Sequence, residues 1–292
     1  VRFAHVFSGE SQQPQLAAVR GEHAIILKDL MGAAGPSSLQ QLIEGGNDLA
    51  DQVREALSAV DAVAVGIPLS ELTFASAVLN PPSILAVGLN YDEHALELDL
   101  DGDSGPVLFA LFPNSLTGHN SAVKLPTHLS QEIDYEGELG VIIGKAAKNV
   151  SEADALDYVF GYTIVNDITA RDLQFREPQW SRCKSFDTFT PNGPVVVTAD
   201  EIANPQQLRI TTDVDGLRVQ DSTTEFMIRS VAQIIASVSQ SLTLLPGTLI
   251  STGSPGGAGR SRKPPLYLTP GTEVTVTIER IGALTSQCVL SD

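Results

Sequence analysis

An α+β fold follows from three features of the 292-residue chain. Strand-like runs succeed one another from Ile84 onwards, only two clear helices interrupt them, and no regular βαβ alternation is present. Nor does any GxGxxG follow a strand and open a helix, which removes the usual sign of a dinucleotide site.

In chain order, Arg2–Phe7 and Ala17–Val19 read as strands, Arg20-Gly21-Glu22 as a turn and Ala24–Leu27 as the returning strand. Ser37 to Ala59 is polar and helix-prone, broken at Gly45-Gly46. Pro68 and Pro81-Pro82 bracket a connection, so a boundary near residue 75 is expected. It divides a small N-terminal domain, 1–75, from a larger one, 76–292. In the latter, Ser151 and Asp154 form a capping pattern that opens a helix ending near Phe160-Gly161. A second helix is expected from about Ser222 to Leu245, stopped by Pro246-Gly247. Leu139–Ile143, Tyr162–Val165, Val195–Val197, Leu208–Val214, Thr248–Thr252 and Glu273–Ile278 read as strands.

Composition narrows the function. With 42% hydrophobic and 18% charged residues the chain can build a core. Its 35 acidic against 18 basic side chains give a net charge of −17, which argues against nucleic acid and anionic membrane surfaces as partners. Two cysteines, Cys183 and Cys288, make neither a disulfide framework nor a zinc motif. No apolar run approaches the ~18–20 residues of a membrane span, and Val1–His5 leads into no signal-peptide core. A cytoplasmic protein in a reducing compartment is expected.

The most informative segment is Asp134-Tyr135-Glu136-Gly137-Glu138-Leu139. Residues two apart on a strand share a face, so Glu136 and Glu138 project side by side. The apolar run after them carries the strand into the core, where two carboxylates call for a hard cation such as Mg²⁺ or Mn²⁺. On that segment alone a solvated acidic face is the commoner explanation, since structural carboxylates outnumber functional ones. Asp167, at the polar end of the apolar run Tyr162–Val165, adds a third carboxylate at a rigid, accessible place. Arg171 and Asp172 read as a local ion pair. His94 and Glu97 share a helical face, an arrangement that serves a water-activating dyad or a plain surface pair. Lys184 stands between Trp180 and Phe186, and Thr252–Gly259 is a glycine-rich loop without the ending of a P-loop.

Together these pieces resemble the fumarylacetoacetate hydrolase superfamily. The marks are Val87-Gly88-Leu89-Asn90-Tyr91 with His94 and Glu97, Asp134–Leu139, Asn166–Gln174, Lys184-Ser185-Phe186-Asp187 with Gly193-Pro194, and Thr252-Gly253-Ser254-Pro255. The resemblance covers about residues 80–290. It implies a mixed β-sandwich roll catalytic domain, a homodimer, and Mg²⁺ or Mn²⁺ held by Glu136, Glu138 and Asp167. It implies His94 and Glu97 as the water-activating dyad on a lid over Tyr91 to Gly105, and Lys184 as support for substrate and water. Arg171, Gln174 and Ser254 fall where substrate is contacted or the pocket supported. Cys183 and Ser254 depart from the family's usual glycine and threonine. The expected reaction is C–C hydrolysis of a 2,4-dioxo acid, an acylpyruvate or fumarylpyruvate-like substrate. Oxaloacetate decarboxylation or keto–enol isomerisation on the same site is the alternative. Loops such as Asp99–Pro106 and Phe175–Trp180 set which side chain the pocket accepts.

Overall fold

The strand Gly137–Ile143 shows how the sequence builds the frame. All seven residues are buried, so both of its faces are covered. Leu139, Val141 and Ile143 enter one apolar cluster, while Ile142 enters another. The structure, a computed structural model, describes residues 1–9, 11–92 and 107–291.

The large sheet runs Ile67–Pro68, His23–Ile26, Gln15–Arg20, Arg2–Phe7, Thr190–Thr198, Val159–Asn166, Gly137–Ile143, Leu249–Ser251, Ile84–Gly88, Val107–Ala110. Its pairings along that path are antiparallel except Leu249–Ser251 with Ile84–Gly88. A second sheet of Leu217–Thr223, Arg209–Val214, Glu273–Ile278, Gly282–Leu290 and Ala122–Leu125 packs on one face. There Val276, Ile278 and Leu284 share a cluster with Leu139 and Val141. The other face carries the helices Leu39–Glu44 and Gly46–Ser58, through Leu42, Ile43, Val53 and Leu57. This is the α+β arrangement expected. The first 75 residues are tied into it, because Arg2 and Phe3 pair with Val197 and Val196.

Two helices differ from expectation. The expected Ser222–Leu245 helix is Val231–Ser241 alone. Leu217–Thr223 is instead a strand paired with Arg209–Val214, and a capping box between Ser230 and Gln233 fixes the true start. The helix opened by Ser151 is a 3₁₀ segment, Glu152–Tyr158, cut short because Val159 already belongs to a strand. Among the described residues, no helix is long and apolar enough to cross a membrane.

One buried histidine joins the N-terminal strand to the helix Leu39–Glu44. The Leu39 backbone N–H donates to His5 Nε2 (3.1 Å), and the ring's other nitrogen, Nδ1, lies 3.0 Å from the Ala77 carbonyl. The ring is therefore neutral with Nδ1 protonated, and it satisfies a helix-start amide that would otherwise be orphaned. Burial lowers its pKa to about 4, against the opposing pull of the Ala77 and Ser76 backbone. The unfolded chain binds a proton below about pH 6.5 that the folded chain refuses. This contribution is thus complete above pH 6.5 and is lost as pH falls towards 4, about 3 kcal/mol in all. Urea midpoints of the protein and of His5→Gln should converge as pH falls from 7.5 to 4.5. A gap that does not change with pH would refute this role for His5.

Candidate metal centre

Strand register brings the acidic residues together. Gly137 pairs with Asn166 and Glu138 with Val165, so the start of one strand meets the end of the next. Past that end the Asp167 backbone N–H donates to the Glu136 carbonyl (2.8 Å), and the Glu136 N–H donates to Asn166 Oδ1 (3.0 Å). Leu249–Ser251 lies on the other side of Gly137–Ile143, and from there Ser251 Oγ donates to Glu138 Oε2 (2.6 Å). The Gly253 N–H donates to the same oxygen (2.8 Å). Gly253 is required there. Its φ is +100°, and a Cβ would lie 2.7 Å from that of Asn90.

Glu136, Glu138 and Asp167 are all buried, and each offers an oxygen within 4.8 Å of those of the other two. Two cations are buried with them. Lys184 Nζ donates to Glu136 Oε2 (2.5 Å), Asp167 Oδ2 (2.6 Å) and Thr169 Oγ1 (2.8 Å), which engages all three of its protons. Arg171 donates through Nε to Asp134 Oδ2 (2.9 Å), through Nη2 to Glu136 Oε1 (2.7 Å) and through Nη1 to Gln174 Oε1 (3.0 Å). Burial alone would lower the pKa of each cation, but the carboxylates outweigh it and hold both above their ordinary values. Both stay charged.

Four buried carboxylates, Asp134 included, face two buried cations, leaving a formal excess of two negative charges. The excess falls on the triad. Burial, reinforced by Asp167 and Glu136, pushes Glu138 up to about 8, and burial pushes Asp167 up to about 6 although Lys184 opposes it. Asp167 Oδ1 is buried with no hydrogen-bond partner among the described residues. An orphaned carboxylate oxygen costs roughly 1–3 kcal/mol or more. A divalent cation with oxygen ligands would neutralise the excess and engage that oxygen, so the donor set fits Mg²⁺ or Mn²⁺.

The sequence-derived residues divide three ways. Glu136, Glu138, Asp167, Lys184, Gln174 and Ser254 line one cavity. Arg171 is fully buried behind Glu136, bound to Asp134 instead of to its neighbour Asp172, which accepts from Ser130 Oγ (2.7 Å). The local Arg171–Asp172 pair is therefore absent, and Arg171 is a support for Glu136 with no described face towards the cavity. His94 and Glu97, with the rest of the expected lid after Asp92, lie outside the described residues.

Three supporting residues carry little or no mark in the sequence. Asp134 accepts from Arg171, from the Tyr135 and Gly259 amides (2.9 and 2.8 Å) and from the Arg260 amide (3.1 Å), tying the glycine-rich loop to the centre. Gln220 reaches across from the second sheet, donating to Ser254 Oγ (2.9 Å) and to the Pro255 carbonyl (2.8 Å). Asn90 donates to the Thr252 carbonyl (2.8 Å). Of the three, Asp134 alone has a local signal, its placement two residues before Glu136. Asn90 is marked only as part of the motif Val87–Tyr91, and Gln220 not at all, since their partners are distant in the chain.

Residues 83–289 match the family model described as fumarylacetoacetate (FAA) hydrolase C-terminal. The chain is 40% identical over 255 residues to the mitochondrial oxaloacetate tautomerase Fahd2a of Rattus norvegicus, covering 87% of this chain and 80% of that one. It is 41% identical over 222 residues to the oxaloacetate tautomerase YisK of Bacillus subtilis strain 168, covering 75% and 74%. Among solved structures, the maleylpyruvate hydrolase of Sphingobium sp. SYK-6, in complex with manganese(II) and pyruvate, superposes with a TM-score of 0.82 at 27% identity over the full length of both chains.

Proposed function

The chain belongs to the fumarylacetoacetate hydrolase family, and from that premise we propose that it interconverts the keto and enol forms of an oxaloacetate-type 2-oxo acid, with Mg²⁺ or Mn²⁺ held by Glu136, Glu138 and Asp167. The observation that carries the metal reading is the orphaned Asp167 oxygen inside a buried cluster with two uncompensated negative charges. The likeness to two oxaloacetate tautomerases, at 40% and 41% identity, favours tautomerisation over the hydrolysis that the motifs first suggest.

In this reaction the C3–H bond breaks, its electron pair forms the C2–C3 double bond, and the former carbonyl oxygen takes up a proton. A bound divalent cation supplies Lewis acidity at the 2-oxo oxygen. The protein's part is to hold charge in place. Lys184 stays protonated between Glu136 and Asp167, so it serves as a fixed positive group and not as the base. Arg171 fixes one Glu136 oxygen and leaves the carboxylate no freedom to turn away. Gln174 and Ser254 offer polar contacts in the cavity, and Phe109 and Trp180 wall it against water. His94 and Glu97 are proposed to carry the proton, and a homodimer is proposed as the assembly.

The test follows the enol absorbance of freshly dissolved oxaloacetate, with pyruvate measured in parallel. Accelerated approach to keto–enol equilibrium without pyruvate is expected in Mg²⁺ or Mn²⁺. His94→Ala should slow that approach by about 10²–10⁴-fold while metal binding, read by calorimetry, persists. C–C hydrolysis is the second reading, favoured by the likeness to maleylpyruvate hydrolase. Cleavage of acylpyruvates with oxaloacetate tautomerisation at the background rate would replace the first reading with the second.

A further inference from the structure

Among the described residues, the metal-side groups occupy only part of the cavity wall, and the remainder is apolar. Trp180, the chain's single tryptophan, follows the helical turn Arg171–Gln174 and folds back over the end of the strand Ile84–Gly88. It is seated closely. A Cβ on Gly88 would lie 2.4 Å from Trp180 Cζ3, so the ring occupies the space that a side chain there would fill. Leu89, at a positive φ of 55°, packs against the same ring. Phe109 meets Trp180 edge-on, with centroids 5.6 Å apart and planes at 68°, and its ring is also 5.4 Å from Lys184 Nζ. One aromatic wall therefore runs from the charged centre to the indole. The space enclosed beside this wall is small, about 10 Å³.

We infer that Trp180, seated on Gly88, is the residue that limits substrate length, restricting the site to 2-oxo acids with about two carbons beyond the oxo carbon. The inference rests on the proposed reading of the site as one for 2-oxo acids, and it names the substrate class within that reading. Along this wall an acylpyruvate with a longer tail must displace an indole that Gly88, Leu89 and Phe109 hold from three sides. Forcing extra methylenes into a packed wall opposes binding by about tenfold or more. Gly88 matters as much as the indole, because only a residue without a Cβ lets the ring seat so deeply.

The test uses N-alkyl oxamates, which keep the adjacent carboxylate and carbonyl oxygens and carry a tail of chosen length. Binding of N-methyl and N-butyl oxamate to the Mg²⁺- or Mn²⁺-loaded protein is measured by calorimetry, and the emission of Trp180 reports the N-methyl complex independently. For the parent, Kd should rise at least about tenfold from methyl to butyl. In Trp180→Ala that ratio should fall to within about twofold of one. Trp180→Phe should lower it at least about threefold, and this variant decides the matter if the alanine variant fails to fold. The same ratio in parent and variants would overturn the inference and leave the functional reading standing. A parent that discriminates the oxamates yet leaves oxaloacetate unchanged would sink the reaction alone. Failure of the loaded parent to bind either oxamate would overturn both.

Discussion

Chelation of divalent cations is expected to slow oxaloacetate tautomerisation by about a thousandfold, with Mg²⁺ or Mn²⁺ restoring it. Lewis acidity is worth several kcal/mol, and about 4 kcal/mol corresponds to three powers of ten in rate. The same experiment has a thermodynamic readout. Metal binds the folded protein and not the separated carboxylates of the unfolded chain, so saturation a hundredfold above Kd should add about 2.7 kcal/mol of stability. Glu138→Gln separates the contributions. It removes one of the three ligand charges but keeps a group able to accept from Ser251 and Gly253, so it should weaken metal binding while leaving the metal-free fold intact or slightly more stable. That last effect follows from the burial and carboxylate repulsion that already push Glu138 up to about 8. Full activity in excess chelator, or unchanged metal affinity in Glu138→Gln, would rule out the metal centre.

Arg171→Met should cost about 3–5 kcal/mol of stability, because it removes a shared cation from two buried carboxylates and leaves Glu136 with Lys184 and Asp134 with backbone amides. Asp134 and Arg171 are both fully shielded from solvent, and Glu136 nearly so. The penalty lies mainly in buried charge left under-compensated and much less in the lost attraction. Adding Asp134→Asn to Arg171→Met should therefore return part of the loss, a coupling that a double-mutant cycle measures directly. Thermal unfolding of the parent, both single variants and the double variant gives the four values needed. Strict additivity would show that Arg171 acts through packing alone. Metal affinity should fall in Arg171→Met as well, since Glu136 loses the donor that fixes its Oε1.

The sequence by itself determined the fold class and the three acidic residues that folding brings together. The α+β class was legible because strands buried on two faces read as unbroken apolar runs, as Leu139–Ile143 does. Glu136, Glu138 and Asp167 were legible because carboxylates at the mouths of such runs enter the core, where ionised groups need a cation to face. Pairing of Gly137 with Asn166 then brings Asp167 to the other two. Helix ends fared worse. The run 222–245 has helical spacing, but the cross-strand partners of Leu217–Thr223 lie on a strand whose pull no local pattern reveals.

Only the tertiary structure decided which groups support the centre. Arg171 could as well have paired with Asp172 beside it. Folding instead gives it Asp134 and Glu136, because the short pairing of Ile133–Asp134 with Thr169–Ala170 brings those carboxylates to its guanidinium. Lys184 was marked by its motif, but only folding sets it between two of the three triad carboxylates. Ser251, Gly253 and Gln220 reach the site across 34 to 115 residues of chain. The seating of Trp180 on Gly88 spans more than ninety residues and leaves no periodic trace. Local pattern records which face of an element is buried, since that is a property of successive residues. It does not record which distant side chain fills the space opposite, since that depends on the packing of whole sheets against one another.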